Sequence, residues 1–569
     1  MKLSYCIAVV FIAYTPAFCH GALLLRTTGS LIGANNYVAA DAGSQIESDE
    51  DAESKVDGGA LSTVSRCIII IACQFMLVST ALAVIRTCHE FSGTSRAKVS
   101  KSLQAASQTA TYGPMLCVLF IACRMHVEFL SDGKDEPQLW VQDCMYALTF
   151  AVLASTVLAL LVPLLAQRLL PNRPRHDLEI SKLEEHGKVG FHLINAALLV
   201  ILLGICCGLA IVIVGIHVYA PPGATGLNAA LPLAPAVKYT AVLALLFFLT
   251  QFVVGACRTY TEFVNVASPR LTGAMTGAAG AMEFAPMLAV LFLAARMRAL
   301  QHDGQPQKWA QDCMFASTCG ICATTALATL VPIALGGNAN RSEALRDFPT
   351  AAAPSPAIGY FLIAARFVCM FAFYGGAMGV IYSIYIFEAP AGPEATFAVS
   401  PTVQCVVNLA CQFFFVYFMM ALMLTVSELS KVSLETNKLF YAIESSKGAV
   451  QFAPMLSILF VATRMYALLI TDKKGAPQAW VQDGMFVATW SLLVSFLLCL
   501  LRGLFVDEMQ LDEAGNAVHK FENKHRAAAA TILRYFTMLV LYGGISMVIV
   551  GLFVMTPETA NGRGAVPLL

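Results

Sequence analysis

The sequence predicts an all-α polytopic membrane protein, with twelve transmembrane helices arranged as three tandem, parallel-oriented four-helix repeats. Composition, twelve long apolar runs and one recurring dodecapeptide predict it. Of 569 residues, 58% are hydrophobic and 13% charged, where a soluble domain carries about 25% charged residues. Mean hydropathy is +0.69, so a bilayer is the expected surroundings.

The N-terminus, MKLSYCIAVVFIAYTPAFCHGA, joins the basic Lys2 to an apolar run and ends on small residues around Ala17 and Cys19. Residues 1–19 therefore read as a secretory signal peptide, with an uncleaved anchor as the alternative. Residues 20–66 are polar and acidic, without aromatic periodicity, and read as a disordered lumenal or extracellular segment. The chain is expected to reach its membrane by the secretory route.

A bilayer core about 30 Å thick requires roughly 20 apolar residues in a helix. Runs of that kind lie near 67–88, 112–130, 140–167, 191–218, 239–258, 284–300, 308–336, 358–387, 403–427, 452–470, 480–501 and 527–555. Connections after the odd-numbered spans hold twenty Lys and Arg, against seven in the opposite loops and C-terminal tail. By the positive-inside rule both termini are lumenal or extracellular.

Pro114 to Met125 reads PMLCVLFIACRM, Pro286 to Met297 PMLAVLFLAARM and Pro454 to Met465 PMLSILFVATRM, with eight positions of twelve common to all three. Each is followed by a Pro-Gln-x-Trp-x-Gln-Asp block, beginning at Pro137, Pro306 and Pro477. Gly208, Gly376 and Gly544 recur 168 residues apart in the fourth apolar runs. The period of about 170 residues divides the remainder into units 67–236, 237–402 and 403–569. Four helices return the chain to its starting side, so the copies share one orientation, and a pseudo-threefold ring is the natural closed arrangement.

Within each unit the chemistry concentrates on few residues. Arg124, Arg296 and Arg464 lie ten residues beyond their prolines, about 15 Å along a helix, and an intramembrane arginine must face protein or water. The expected partners are Asp143, Asp312 and Asp483, which open the next helix. Such pairs would either fix the helical hairpin, line a polar path, or meet a lipid headgroup.

Pro114, Pro286 and Pro454 suit a helix start or a kink. Trp140, Trp309 and Trp480 suit interfacial anchors. Gly208, Gly376 and Gly544 suit close helix packing. Gln142, Gln311 and Gln482 fit either a helix cap or a bond between helices.

Balanced charge, 36 basic against 36 acidic residues, offers nothing to nucleic acid. The 18 cysteines are scattered through apolar runs, and Cys319 and Cys322 form a CxxC with no second pair. No phosphate loop, HExxH, GxSxG or dense His/Cys cluster is present, so neither an enzyme, a cofactor nor a metal is expected. A transporter or channel-like protein for a small solute or ion is the leading expectation, and a non-transporting scaffold, complex subunit or receptor is the alternative.

Overall fold

The computed structural model describes residues 62–92, 103, 106–130, 137–169, 180–219, 233–264, 269–300, 306–335, 356–386, 399–430, 438–470, 477–504, 508–511, 517–520 and 524–554. The signal segment and most of the acidic segment lie outside them. Gly59–Leu82 and Ala97–Leu569 make up one compact unit; in the other, Met1–Gly58 with Ala83–Arg96, the described residues are the end of the first helix.

The regular elements among the described residues are helices, apart from one short antiparallel hairpin, β1 (Glu508–Leu511) with β2 (Ala517–Lys520). The helices are α1 (Thr63–Ser92), α2 (Tyr112–Leu130), α3 (Leu139–Leu169), α4 (Ile180–Val218), α5 (Pro235–Val264), α6 (Pro269–Met282), α7 (Ala285–Leu300), α8 (Lys308–Leu335), α9 (Pro356–Tyr385), α10 (Pro401–Ser430), α11 (Lys438–Val450), α12 (Ala453–Ile470), α13 (Ala479–Leu504) and α14 (Lys524–Val554). Four of them open on proline, whose missing N–H would have no partner in a first turn.

Twelve spans are long and apolar enough to cross a membrane. The chain is a multi-pass membrane protein. Many hydroxyls inside the spans are met locally, as in α8, where Ser317, Thr318, Thr324 and Thr325 each donate to the carbonyl four residues back at 2.7–2.8 Å. This satisfies polar groups without breaking the helix.

The second span of each sequence copy is the interior of the molecule. Ala106–Glu128, Leu271–Leu300 and Ala442–Leu468 are 89%, 78% and 89% buried, against at most 61% for the other nine. Their C-terminal helices α2, α7 and α12 pack against one another pairwise. Around them, α2 packs on α5 and α7 on α10, while α4 meets α5 and α9 meets α10.

Contacts of the same kind join the last helices to the first. Tyr466 and Ala467 of α12 and Leu552 of α14 share an apolar cluster with Ile69 of α1, and the Thr80 hydroxyl donates to that of Tyr542.

Aromatic rings repeat this order. The residue two before each proline lies on a first helix of the following copy: Tyr112 on Phe248 at 6.0 Å, Phe284 on Tyr417 at 5.1 Å, and Phe452 on Phe75 at 6.1 Å.

Close approach of the third and fourth helices is set by the glycines. A Cβ on Gly208 would lie 2.7 Å from Leu148 of α3; on Gly376, it would overlap Ser317 Oγ and lie 2.7 Å from the Cys313 carbonyl of α8; on Gly544, 2.8 Å from the Gly484 carbonyl of α13. Their neighbours Gly375 and Gly543 face open space. Gly376→Ala and Gly544→Ala, which press on backbone, will each cost about 1–3 kcal/mol, measured as a lower melting temperature in detergent. Gly375→Ala and Gly543→Ala will leave it unchanged.

Candidate functional site at the second spans

Proline shapes each second span by removing a donor and crowding the carbonyl four residues earlier. At these prolines the chain does not run through as one regular helix. α6 ends at Met282, Glu283 and Phe284 turn, and α7 resumes with Leu288 N bonded to Phe284 O at 3.1 Å. The third copy repeats this: α11 ends at Val450, Gln451 and Phe452 turn, and Leu456 N bonds Phe452 O at 3.0 Å. In the first copy Thr111 forms the turn before α2.

The spans begin well before the apolar runs of the sequence suggest, at Ala106, Leu271 and Ala442. Pro114, Pro286 and Pro454 consequently occupy the first turn of a second half-helix within the span, so helix start and break coincide. Small and polar residues ahead of the proline conceal this beginning: TGAMTGAAGAMEF in the second copy and KLFYAIESSKGAVQF in the third.

The residue three before each proline is polar and exposed: Thr111, Glu283 and Gln451. Gln108, Thr276 and Glu444 continue the exposed face one or two turns earlier, and Gly280 and Gly448 open on empty space. Just past the prolines the surface closes, for Met115, Met287 and Met455 are fully buried, and Ser457 Oγ lies 4.0 Å from Met287 Sδ. A polar face thus ends on an apolar seal.

One charged cluster stands at these breaks. Lys447 Nζ of α11 lies 2.6 Å from Glu283 Oε2, and 5.1 Å from the ring centre of Tyr417 on α10. The Tyr417 hydroxyl lies within the electrostatic reach of Glu283. Sequence reading missed these three residues, although a polar residue three before every proline was a signal available in the letters.

At the arginine end, Arg124, Arg296 and Arg464 are 4%, 2% and 7% exposed, and Arg298 is buried beside them on α7. Arg124 Nε is bonded to Glu128 Oε1 at 2.8 Å, one turn along its own helix. His126 packs edge-on to Tyr219 at 6.4 Å and lies within the electrostatic reach of Arg296. A cavity of about 20 Å³ between α1, α2 and α12, lined by Ser65, Arg124, Glu128 and Tyr466 among others, has room for roughly one water molecule.

The expected arginine–aspartate pairs are not formed among the described residues. Asp143, Asp312 and Asp483 are exposed. Helix geometry explains it: Val141, Met145 and Leu148 define the buried face of α3, and Asp143 falls about 200° round from Val141. Ala310, Met314 and Ser317 on α8, and Val481, Met485 and Ala488 on α13, turn Asp312 and Asp483 outward in the same way.

The tryptophans lie at the starts of their helices. Trp140 is exposed, while Trp309 and Trp480 each donate from Nε1 to a glutamine, Gln307 or Gln478, at 2.5 Å. Gln142, Gln311 and Gln482 tie these starts to the residues before them, donating to the carbonyls of Pro137, Pro306 and Pro477 at 2.6–2.7 Å. Gln142 bonds between helices as well, accepting from Thr63 Oγ1 of α1 at 2.7 Å.

No family model matches the chain, and no curated protein resembles it closely enough to count as a relative. The chemistry of the second spans is therefore the guide to function. Pro286→Ala restores the amide that the break lacks and will fuse α6 to α7. Slower hydrogen exchange across residues 283–287 is the expected result.

Proposed function

We propose that this is a transporter or channel-like protein whose three four-helix units, 67–236, 237–402 and 403–569, form a closed pseudo-threefold ring with a solute path where the second spans meet. One observation carries the reading: each second span breaks at a proline, presents polar residues before it and closes on an apolar seal after it. Discontinuous helices of this kind line solute sites in membrane transporters because broken backbone is tolerated only against protein or water. A scaffold has no use for polar exposure there.

The ring is supported by the order of the seams. Tyr112 reaches the second unit, Phe284 the third and Phe452 the first again. The distribution of Lys and Arg orients the polar mouth toward the cytosol and the buried arginines toward the outside. In that orientation Asn340, in the sequon Asn340-Arg341-Ser342, is cytosolic and will carry no glycan in the native protein.

Widening the seal tests the path. Met115→Ser, Met287→Ser and Met455→Ser combined will make proteoliposomes leak potassium or chloride at least tenfold faster (on the order of 1.4 kcal/mol in barrier) than liposomes with unmodified protein. A folded triple variant that leaks no faster would sink the reading. Labelling of Thr111→Cys and Gln451→Cys by a membrane-impermeant thiol reagent, above the background of the native cysteines, will come from the cytosolic side.

A further inference from the structure

The breaks of the three second spans are alike in backbone and unlike in charge. At the position three before the proline the copies carry Thr111, Glu283 and Gln451, and four residues earlier Ser107, Ala279 and Lys447. Only the second copy supplies a carboxylate there and only the third an ammonium. They meet at 2.6 Å.

The surroundings suit an ammonium group rather than a hard metal ion. Tyr417 offers a ring face to Lys447 and lies within the electrostatic reach of Glu283. Phe284 and Phe413 pack on Tyr417 at 5.1 and 4.4 Å between ring centres, and Tyr374 and Phe373 lie against Phe284 at 6.0 and 5.3 Å. A carboxylate beside an aromatic face is how organic ammonium ions are recognised, through the ring quadrupole. A metal cation would call for several oxygen ligands instead.

The charged pair is open to solvent, above the buried Tyr417. Side-chain exposure is 41% for Glu283 and 27% for Lys447, and Gly280 and Gly448, three residues before the glutamate and one after the lysine, have no atom within 4 Å of where a Cβ would lie. Lys447 therefore sits in a place that a free amine could reach.

We infer that Glu283 and Tyr417 form a binding site for an organic ammonium group, and that Lys447 occupies it as a built-in competitor. This deepens the transport reading by naming the class of solute, an amine, while the binding itself stands apart from whether anything crosses. Displacement of Lys447 would free the seam between the second and third units, since the ion pair ties α11 to the turn before α7.

Chemical rescue tests the inference on the full-length protein in detergent. Lys447→Ala leaves Glu283 and the aromatic face without an ammonium, and n-butylammonium, the free counterpart of the lysine side chain, will raise its melting temperature in a concentration-dependent manner. Sodium chloride and n-butanol will not. Adding Glu283→Gln to Lys447→Ala will abolish the rescue. Where Lys447→Ala does not fold, Lys447→Met keeps the apolar stem and takes its place.

Equilibrium dialysis with radiolabelled n-butylamine supplies a second measurement on unmodified protein and Glu283→Gln, with binding lost in the variant. Stabilisation by salt or butanol equal to that by the amine, rescue that survives Glu283→Gln, or unmodified protein and Glu283→Gln that bind the amine equally, would each overturn the inference. Amine binding without amine-driven flux in proteoliposomes would leave the site standing and count against transport.

Discussion

A polypeptide in hydrocarbon must satisfy every backbone N–H and C=O from within, because no water is there to do it. The proline break in each second span violates that requirement locally, and the rest of the architecture answers to it. A broken helix is stable only where other protein or water surrounds it. The three second spans are accordingly the most buried of the twelve, and the unbroken helices form their outer cover.

From this constraint the packing follows. The outer helices present large apolar side chains such as Phe150, Leu249, Phe361 and Trp490 at their exposed faces, as lipid requires. Their inner faces hold the glycines and small residues that let third and fourth helices approach to backbone contact. The aromatic residue ahead of each proline fills the gap at the seam that the turn leaves. Structural roles thus absorb most of what the three copies have in common.

What the copies do not share is more informative about function. Glu128 follows Arg124 by one turn where the other two copies have Leu300 and Leu468, and the Glu283–Lys447 pair exists at a single seam. Residues common to the three segments serve packing and need no functional explanation. Charges confined to one seam are a departure from it, and a charge within a span carries a desolvation cost that packing alone does not require.

Much of the fold was legible in the letters. Twelve apolar runs determined the number of the spans and the place of most of them, because length and hydropathy are local properties that a bilayer reads directly. The dodecapeptide recurs three times in the letters, each time in one of the three most buried spans. Interior faces could not be read so simply: Asp143, Asp312 and Asp483 looked like partners for the arginines by spacing, yet helix rotation turns them outward. Only the tertiary structure decided that Arg124 is bonded to Glu128, that the prolines lie inside their spans, and that Glu283 and Lys447 meet. The reason is physical: burial and pairing depend on which faces of distant segments pack together, and a linear sequence carries no distance between residues so far apart along the chain.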